Sequence, residues 1–596
     1  MTSRTLLRLA VAGAVAAGGF ALASIPAEAA KPPKKDGSVR LLTINDFHGN
    51  LETPAGSSGR ILDENGVFVQ GTGGAAFLAT AVKEHWAAGK TNVVASGDLI
   101  GASPLISAAY HDEPTVQILG KLGLDVSGVG NHEYDEGIAE LRRIQNGGCH
   151  PVDGCAPAPG GRWRGAEFQY LAANVVDERG RYPIAPFSIK IVNGVKVGYI
   201  GLVTKTTPTI VTAEGIQGLT FQDEVEAGNR ASKWLSKLGV KVQVALVHEG
   251  DAVAVASPDA CPSKVGTAGE VIAKGLDAAV DVVVMGHSHQ AYICETADPK
   301  GQRRVYTQGS SFGRVLTQID FKVNPRTKDV DRASVVADNH VVATPAAYIT
   351  NAGGTVNSGP YTGRLYAPDA AIDTLVGQWK TAVSAVANKQ VGTITANIGR
   401  APAASGEFPL GNLIADSQLA ATKADGGAQI AFMNPGGVRT DLTFTQSGSE
   451  GDGVVTYGEA FAVQPFNNLT QVITLTGAEL KTVLEQQFAG GPNNQVAAGR
   501  ILQPSSNFTY SYSTSAAWGT KVSDMKIDGV PVTDTQTIKV AVNNFLVGGG
   551  DAFAQFAGRT DKSLWSGPLD IDAFVAYLSA NSPVAPPAPT HITVLP

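Results

Sequence analysis

The sequence predicts an α/β protein of two domains, on three observations. Short β-branched runs alternate with stretches of helical spacing from Val39 to about Val342, the pattern of layered sheets and helices. Five of those runs are each followed directly by a polar motif rich in His, Asp, Asn and Gly, so chemistry gathers at the carboxyl ends of strands. A second set of strand-like runs, with its own glycine-rich turns, begins near Val391.

At 596 residues the chain exceeds one ordinary core, and length alone suggests roughly two to four domains. Apolar residues at 43% and charged residues at 17% suit a soluble globular protein. The formal net charge of −7 argues against a nucleic-acid polymer or an anionic membrane as the main partner. An anionic substrate must therefore meet cations placed locally, either metal ions or arginines.

In chain order, residues 1–29 read as a signal peptide. Arg4 and Arg8 precede an Ala/Val/Leu/Gly-rich run to about Ala23, and Ala27-Glu28-Ala29 supplies the small-x-small cleavage pattern. A membrane anchor is the rival reading, but the run is short and glycine-rich for a span. No cysteine follows it to carry a lipid, and no later apolar segment reaches spanning length. The expected product is secreted, extracellular or loosely associated with the cell wall, with no integral membrane span, and monomeric. Residues 30–38 form a polar, flexible leader. Four cysteines, Cys149, Cys155, Cys261 and Cys294, suit an exported protein. Pairing Cys149 with Cys155 and Cys261 with Cys294 is the simplest of the three possible connectivities. A zinc site is the alternative, weakened by the absence of any CxxC pair.

The strand-like runs of the first domain (39–342) are Val39 to Ile44, Asn92 to Ser96, Asp125 to Val129, Val240 to Val247 and Asp281 to Met285. They lead into Asn45-Asp46-Phe47-His48, Gly97-Asp98, Gly130-Asn131-His132, His248-Glu249 and Gly286-His287-Ser288-His289. Gly74 to Lys90 and Asn229 to Leu238 have helical spacing, and Val315 to Val323 and Ser334 to Val342 read as closing strands. Residues 343–365, rich in Thr, Pro, Ala, Gly, Asn and Ser, suit an interdomain connection. Asp369 to Ala387 reads as a linker helix within the 343–390 join. The second domain (391–581) has strand-like runs at Gln429 to Met433, Gln471 to Thr476 and Thr537 to Val542, with turns at Pro435-Gly436-Gly437 and Gly548-Gly549-Gly550-Asp551. The proline-rich tail, 582–596, reads as loose.

Chemistry centres on Gly130-Asn131-His132-Glu133-Tyr134-Asp135. Asn131 offers a neutral oxygen to a metal, and His132 beside it is placed to meet a substrate. Asp135 can accept a hydrogen bond from the other ring nitrogen and keep that imidazole charged. A charged imidazole beside a phosphate stabilises negative charge building on oxygen. Gly130 lets the backbone pass close to the ions. The bland alternative is a capped turn. Only ten histidines occur in the chain, and His48, His132, His248, His287 and His289 all fall in the strand-end motifs. With Asp46, Asp98 and Asn131 they supply ligands for two divalent ions bridged by one carboxylate. Imidazole and carboxylate without thiolate suit Zn, Mn, Fe or Co better than Ca or Mg. Two ions roughly 3.5–4 Å apart can hold a hydroxide and clamp phosphoryl oxygens, so the expected chemistry is hydrolysis of a phosphate ester.

This ordered set resembles the calcineurin-like metallophosphoesterases. With the second domain, the chain resembles the secreted bacterial 5′-nucleotidase/UDP-sugar hydrolase family from about Val39 to residue 580. The resemblance implies a four-layer α/β/β/α metallophosphoesterase domain and a second α/β substrate-binding domain, joined by a linker helix. It implies one ion held by Asp46, His48, Asp98 and His289, and another by Asp98, Asn131, His248 and His287. His132 and Asp135 would be the catalytic dyad. Some relatives carry glutamine at the position of His289. In the second domain, Arg400 and Arg439 would fork onto phosphate or carboxylate oxygens, with Asn434 and Asn468 nearby. Phe466 and Phe545 would sandwich the base, and Asp551 would accept from ribose hydroxyls. The alternative is that both rings are core and both arginines are surface residues. Gly411 to Asp416 also matches the family and reads as structural. With metals in one domain and base recognition in the other, the linker helix reads as a hinge.

The implied reaction is hydrolysis of nucleoside 5′-monophosphates, with 2′,3′-cyclic nucleotide phosphodiesterase and UDP-sugar hydrolase as close alternatives. A catalytically silent nucleotide-binding protein is a different class. Every motif residue is present, which weighs against it.

Overall fold

The computed structural model describes residues 37–211, 213–251, 255–261, 266–352, 354, 356–448, 450–466, 468–488, 500–557 and 565–596. The signal peptide read on residues 1–29 lies outside them, as does all but Gly37 and Ser38 of the leader.

Runs of Val, Ile and Ala that stay apolar on both faces form the centre of the first domain. Thr91–Ser96 and Val242–His248 are buried at every position, as parallel strands covered on both sides require. Two six-stranded sheets result. The first runs Val336–Val341, Val315–Lys322, Ser38–Ile44, Thr91–Ser96, Leu124–Gly128, Gln169–Leu171 across its width. The second runs Ala291–Ala297, Arg303–Gly309, Val282–Val284, Val242–His248, Val195–Val203, Phe187–Val192. Each has parallel strands at its centre and antiparallel pairing toward its margins.

The sheets pack face to face through one core that includes Leu41, Val94 and Val126 from the first and Val244, Leu246 and Val284 from the second. Each such side chain contributes roughly 1.5–3 kcal/mol by burial. Ala75–His85, Glu113–Lys121 and Gly137–Asn146 cover the outer face of the first sheet, while Glu224–Lys237 and Ala268–Gly275 cover the second. The result is the four-layer α/β/β/α arrangement. Both expected cysteine pairs are bridged, with Cα–Cα distances of 4.5 Å for Cys149–Cys155 and 5.0 Å for Cys261–Cys294.

Two segments differ from the sequence reading. The interval 343–365 is not a plain connection: Ala343–Thr350 and Asn357–Pro360 pair with Phe68–Thr72 and Arg60–Leu62 in a small four-stranded sheet. Its composition carries no local strand signal, and the partner strands lie far back in the sequence. The linker helix, Ala370–Ala387, is capped by Asp369, whose side chain accepts from the Ile372 N–H. Trp379 is buried on this helix and donates from Nε1 to Gln117 Oε1 at 3.0 Å, and Lys380 pairs with Glu52 at 2.6 Å. These contacts hold the helix against the first domain, and it packs on Tyr457–Val463 of the second as well. The second difference is in the tail.

The second domain is built on a five-stranded sheet, Gln503–Pro504, Ile430–Met433, Thr537–Asn543, Leu469–Thr476, Trp565–Leu569. Pro409–Lys423 and Asp570–Asn581 pack on one face; Asn412, inside the first of these helices, donates to Glu407 and to the Pro504 carbonyl, a structural role. The other face meets a four-stranded sheet of Val530–Pro531, Val522–Ile527, Phe508–Tyr512 and Ile592–Val594. That last strand comes from the tail expected to be loose. Buried Glu407 holds it, accepting from the Ile592 N–H at 2.9 Å and from the His591 ring at 2.8 Å. Proline-rich composition predicts coil, and only the distant pairing overrides it.

Candidate active site

The first three motifs leave the ends of Ser38–Ile44, Thr91–Ser96 and Leu124–Gly128 in one sheet, and the last two leave Val242–His248 and Val282–Val284 in the other. The site therefore lies where the carboxyl ends of two sheets meet. Cross-sheet bonds hold them in register: Ser96 Oγ donates to the Met285 carbonyl at 2.6 Å, and His248 Nδ1 bonds the Ser96 carbonyl at 2.8 Å.

All seven predicted metal-ligating residues converge there. Asp46, His48, Asp98, Asn131 and His248 are buried. Asp98 Oδ2 stands 3.0 Å from His248 Nε2 and 3.5 Å from His48 Nε2, the position of a bridging carboxylate. His289 Nε2 is 3.4 Å from Asp46 Oδ1 and 3.2 Å from His48 Nε2. Asn131 Oδ1 is 3.1 Å from His248 Nε2. Ligating atoms of Asp98, His248 and His287, and of Asp46, His48 and His289, lie within 4.8 Å of one another in each group.

The donor set fits two divalent cations. His48 Nδ1 bonds the Gly101 carbonyl at 2.8 Å, so Nδ1 carries the proton and Nε2 turns a lone pair toward the centre. Burial pushes His48 well below its ordinary pKa and also lowers His289, which keeps both in the neutral, ligating form. Two neutral imidazole nitrogens 3.2 Å apart, beside the carboxylates of Asp46 and Asp98, suit a shared cation. At His248, Nδ1 is likewise committed to a carbonyl while Nε2 faces two oxygens. Burial opposes a charge there, but Asp98 and Asp46 outweigh it and push His248 up to about 10. Without an ion a proton fills that gap, and a divalent ion would displace it.

Backbone geometry marks the same residues. Asp46, His48, Asp98, His287 and His289 take φ values of 50°, 47°, 48°, 72° and 58°, in the left-handed region that non-glycine residues rarely occupy. Strain of this kind persists where the surroundings over-determine it. Gly130 is required for a related reason: a Cβ there would stand 2.2 Å from Asp98 Oδ1.

His132 and Asp135 form the expected pair, with Nδ1 to Oδ2 at 2.7 Å. Burial disfavours the charged imidazole, but Asp135 and Asp98 outweigh it and raise His132 above its ordinary value. His132 also donates its backbone N–H to Asp98 Oδ1 at 2.9 Å, which ties the dyad to the bridging carboxylate. Sequence reasoning missed Glu133. Its buried carboxylate accepts the backbone N–H groups of Asp98, Leu99 and Gly130 at 2.9, 2.8 and 2.6 Å, so it locks two motif loops together. Its place between Asn131-His132 and Asp135 was the available signal.

The predicted residues of the second domain separate into two groups. Phe466 stacks on His132 with ring centroids 5.7 Å apart, and Arg439 lies over Phe466 at 5.7 Å, so both reach the dyad. A cavity of about 300 Å³ runs along this contact, lined by His132, Asp135, Pro465 and Phe466. Arg400 is tied to Asp441 at 3.3 Å and to the Val438 carbonyl at 3.2 Å. Asn468 donates to buried Asp570 at 3.2 Å. Asp551 accepts from Asn434 at 3.0 Å and pairs with Arg500, a residue the sequence reading missed. The Gly548-Gly549-Gly550-Asp551 turn lies against Phe545, whose ring leaves no room for a Cβ at Gly550. Phe466 thus lies on His132 and Phe545 on this turn.

Comparison with known proteins agrees with this architecture. The family model for calcineurin-like phosphoesterase matches residues 39–291, and that for the 5′-nucleotidase C-terminal domain matches residues 389–558. Cell wall protein Lmo0130 of Listeria monocytogenes is 32% identical over 570 residues, 91% of this chain and 67% of that protein. Endonuclease YhcR of Bacillus subtilis is 30% identical over 565 residues, 93% of this chain but only 40% of that protein. This chain thus spans well under half of one of these relatives and about two thirds of the other. The crystal structure of a 5′-nucleotidase precursor from Thermus thermophilus shares the fold at a TM-score of 0.71, covering 94% of this chain and 99% of that one at 23% identity. No helix among the described residues is long and apolar enough to cross a membrane. The chain belongs to the 5′-nucleotidase family, with a calcineurin-like phosphoesterase domain followed by a 5′-nucleotidase C-terminal domain.

Proposed function

We propose that this chain is an exported two-metal phosphohydrolase that removes the 5′-phosphate from nucleoside monophosphates. The observation that carries the reading is the approach of Phe466 and Arg439, from the second domain, to the His132–Asp135 dyad of the first. One substrate with a phosphate at one end and a flat base at the other suits a dyad that abuts an aromatic ring and a guanidinium.

Asp46, His48, Asp98 and His289 would hold one ion and Asp98, Asn131, His248 and His287 the other. Bound Zn, Mn, Co or Fe supplies Lewis-acid stabilisation of phosphoryl charge and lowers the pKa of water. His132, with Nδ1 on Asp135, directs its other ring nitrogen toward the reacting phosphoryl group and stabilises the charge that develops there. Arg439 adds a fixed positive charge, while Arg400 serves through its hold on Asp441. Phe466 and Phe545 flank the base, and Asp551, set by Asn434 and Arg500, meets the ribose. Asn468 acts on the pocket through Asp570. Export rests on the residue 1–29 pattern and on a relative described as a cell wall protein.

A relative described as an endonuclease raises nucleic acid as a second substrate class. The net charge of −7 weighs against it. The test is phosphate release by the metal-loaded protein from AMP, 2′,3′-cyclic AMP, UDP-glucose and p-nitrophenyl phosphate, with nicking of single-stranded DNA alongside. AMP is expected to turn over fastest, and His132→Ala to lower kcat by roughly 10²–10⁴-fold with metal retained. Faster turnover of another substrate, or an unaffected variant, overturns the reading.

A further inference from the structure

Asn45, the residue before Asp46, is not a ligand, yet its side chain is buried and three groups close on it. Oδ1 accepts the Gly309 N–H at 2.8 Å, and Nδ2 donates to the Ser310 carbonyl at 2.5 Å and to Asp46 Oδ2 at 2.6 Å. We propose that Asn45 is a positioning residue: its amide orients the Asp46 carboxylate and sets it in register with His289, which tightens the hold of these two side chains on their shared ion. The inference rests on the two-ion reading and gives a role within it to a residue outside the ligand set.

Backbone partners decide which way the amide faces. A peptide N–H can only donate and a peptide carbonyl can only accept, so Oδ1 must face Gly309 and the NH₂ group must face Ser310. The opposite flip would set an oxygen against two acceptors and an NH₂ against a donor. The NH₂ group therefore meets Asp46 Oδ2 as a donor, and an N–H held on a carboxylate is among the stronger hydrogen bonds. The His287 backbone N–H approaches both Asp46 oxygens at 3.0 Å. With Asn45 on Oδ2 and His287 across both oxygens, the carboxylate is held against rotation, and Oδ1 faces His289 Nε2 at 3.4 Å.

The same amide joins the two sheets at this point. Asn45 follows Ser38–Ile44 of the first sheet, Gly309 ends Arg303–Gly309 of the second, and residues 310–314 carry the chain across to Val315–Lys322 of the first. Ser310 donates its N–H to the carbonyl of Gln290, the neighbour of His289, at 2.8 Å, and Phe312 donates to the Asp46 carbonyl at 2.7 Å. Ser310 and Phe312 both take a left-handed φ of 60°, which for a side chain as bulky as phenylalanine persists only where its surroundings impose it. A Cβ at Gly309 would stand 2.7 Å from Thr317 Oγ1 and 3.2 Å from Asn45 Oδ1, so the crossing packs closely on the amide. Asp46 and His289 come from different sheets, and Asn45 ties together the segments that carry them.

A residue that served the crossing alone would, when removed, lower stability and weaken both ions alike. A residue that holds Asp46 should affect one ion far more than the other.

The test is a zinc titration of the full-length mature protein against a competing chelator, fitted to two binding steps, beside Asn45→Ala, Asn45→Asp and His289→Ala. His289→Ala marks the step that belongs to Asp46 and His289. Asn45→Ala is expected to weaken that step roughly 10–100-fold and to leave the other within about threefold. Asn45→Asp keeps the size of the side chain and the acceptor for Gly309, but sets a carboxylate oxygen where Asp46 has its donor. Added negative charge alone would tighten zinc, whereas loss of the donor should weaken the same step as in Asn45→Ala. If Asn45→Ala does not fold, Asn45→Asp carries the comparison, and failure of both to fold makes Asn45 a purely structural residue and overturns the proposal. Two zinc ions in wild type with both steps unchanged or equally weakened in a folded variant, or tighter zinc in Asn45→Asp, overturn it too. Fewer than two zinc ions in wild type would instead overturn the two-ion reading itself.

Discussion

The two halves of the candidate site differ in what holds their side chains. In the first domain, ligating atoms turn toward one another, with backbone carbonyls and Glu133 fixing them from behind. In the second, the polar groups satisfy each other: Arg400 with Asp441, Asn468 with Asp570, Asp551 with Asn434 and Arg500. A set of converging imidazoles and carboxylates suits a cation and is built in advance. A set of mutually satisfied groups must exchange a partner to take a ligand, so its individual contributions to turnover should be smaller.

Removing the bridging carboxylate tests the stronger half. Asp98→Ala is expected to lower kcat/KM by roughly 10³-fold or more, about 4 kcal/mol, together with loss of bound metal. Full metal content with low activity would mean that Asp98 acts on substrate rather than on ions. Elemental analysis beside steady-state kinetics separates the two.

Arg500→Ala probes the weaker half. Freed of Arg500, Asp551 loses one of the groups that hold it, and KM for AMP should rise roughly five- to tenfold with kcat within about twofold. A fall in kcat equal to the fall in kcat/KM would place Arg500 among groups that act only in the transition state, which would erase the contrast between the halves.

The smallest effect concerns Asp570, which anchors Asn468. Burial pushes its carboxyl up to about 7, against the hydrogen bond from Asn468. The folded chain then keeps a proton that the unfolded chain, with an aspartate pKa of about 3.9, has already released. Its stabilising share is therefore complete below about pH 4 and declines as pH rises to about 7. Asp570→Asn should remove that decline, so the difference in Tm between wild type and variant should drift by about 1–3 °C across the interval and level off above it. A constant difference at all pH values would show that Asp570 titrates as an ordinary exposed carboxylate.

The same division governs what can be read from the chain. The metal-ligating motifs are legible because each sits within a few residues of its own strand, so strand pattern and chemistry appear in one short window, as at Asp46 and His48 after Ser38–Ile44. Glu133 is not, because a glutamate that receives three backbone N–H groups from two loops looks in sequence like any acidic turn residue. Arg500 escapes notice for a similar reason: its partner, Asp551, is remote in sequence. The strands of 343–360 and 592–594 read as coil because prolines and glycines interrupt the first and the second is a three-residue Ile-Thr-Val run after a proline-rich stretch, each too short to stand out until a distant partner supplies the ladder.

By itself, the sequence determined the layered α/β class and the order of the ligand-bearing motifs, and it left three cysteine connectivities open. The first two follow from local periodicity and from residue chemistry at strand ends. Tertiary structure alone decided which sheet presents each motif, that the linker helix packs on the first domain through Trp379, and that Phe466 rests on His132. The physical reason is that such facts are set by pairings between distant segments. Those are chosen by burial of whole faces and by satisfaction of backbone hydrogen bonds, and no local stretch of residues encodes them.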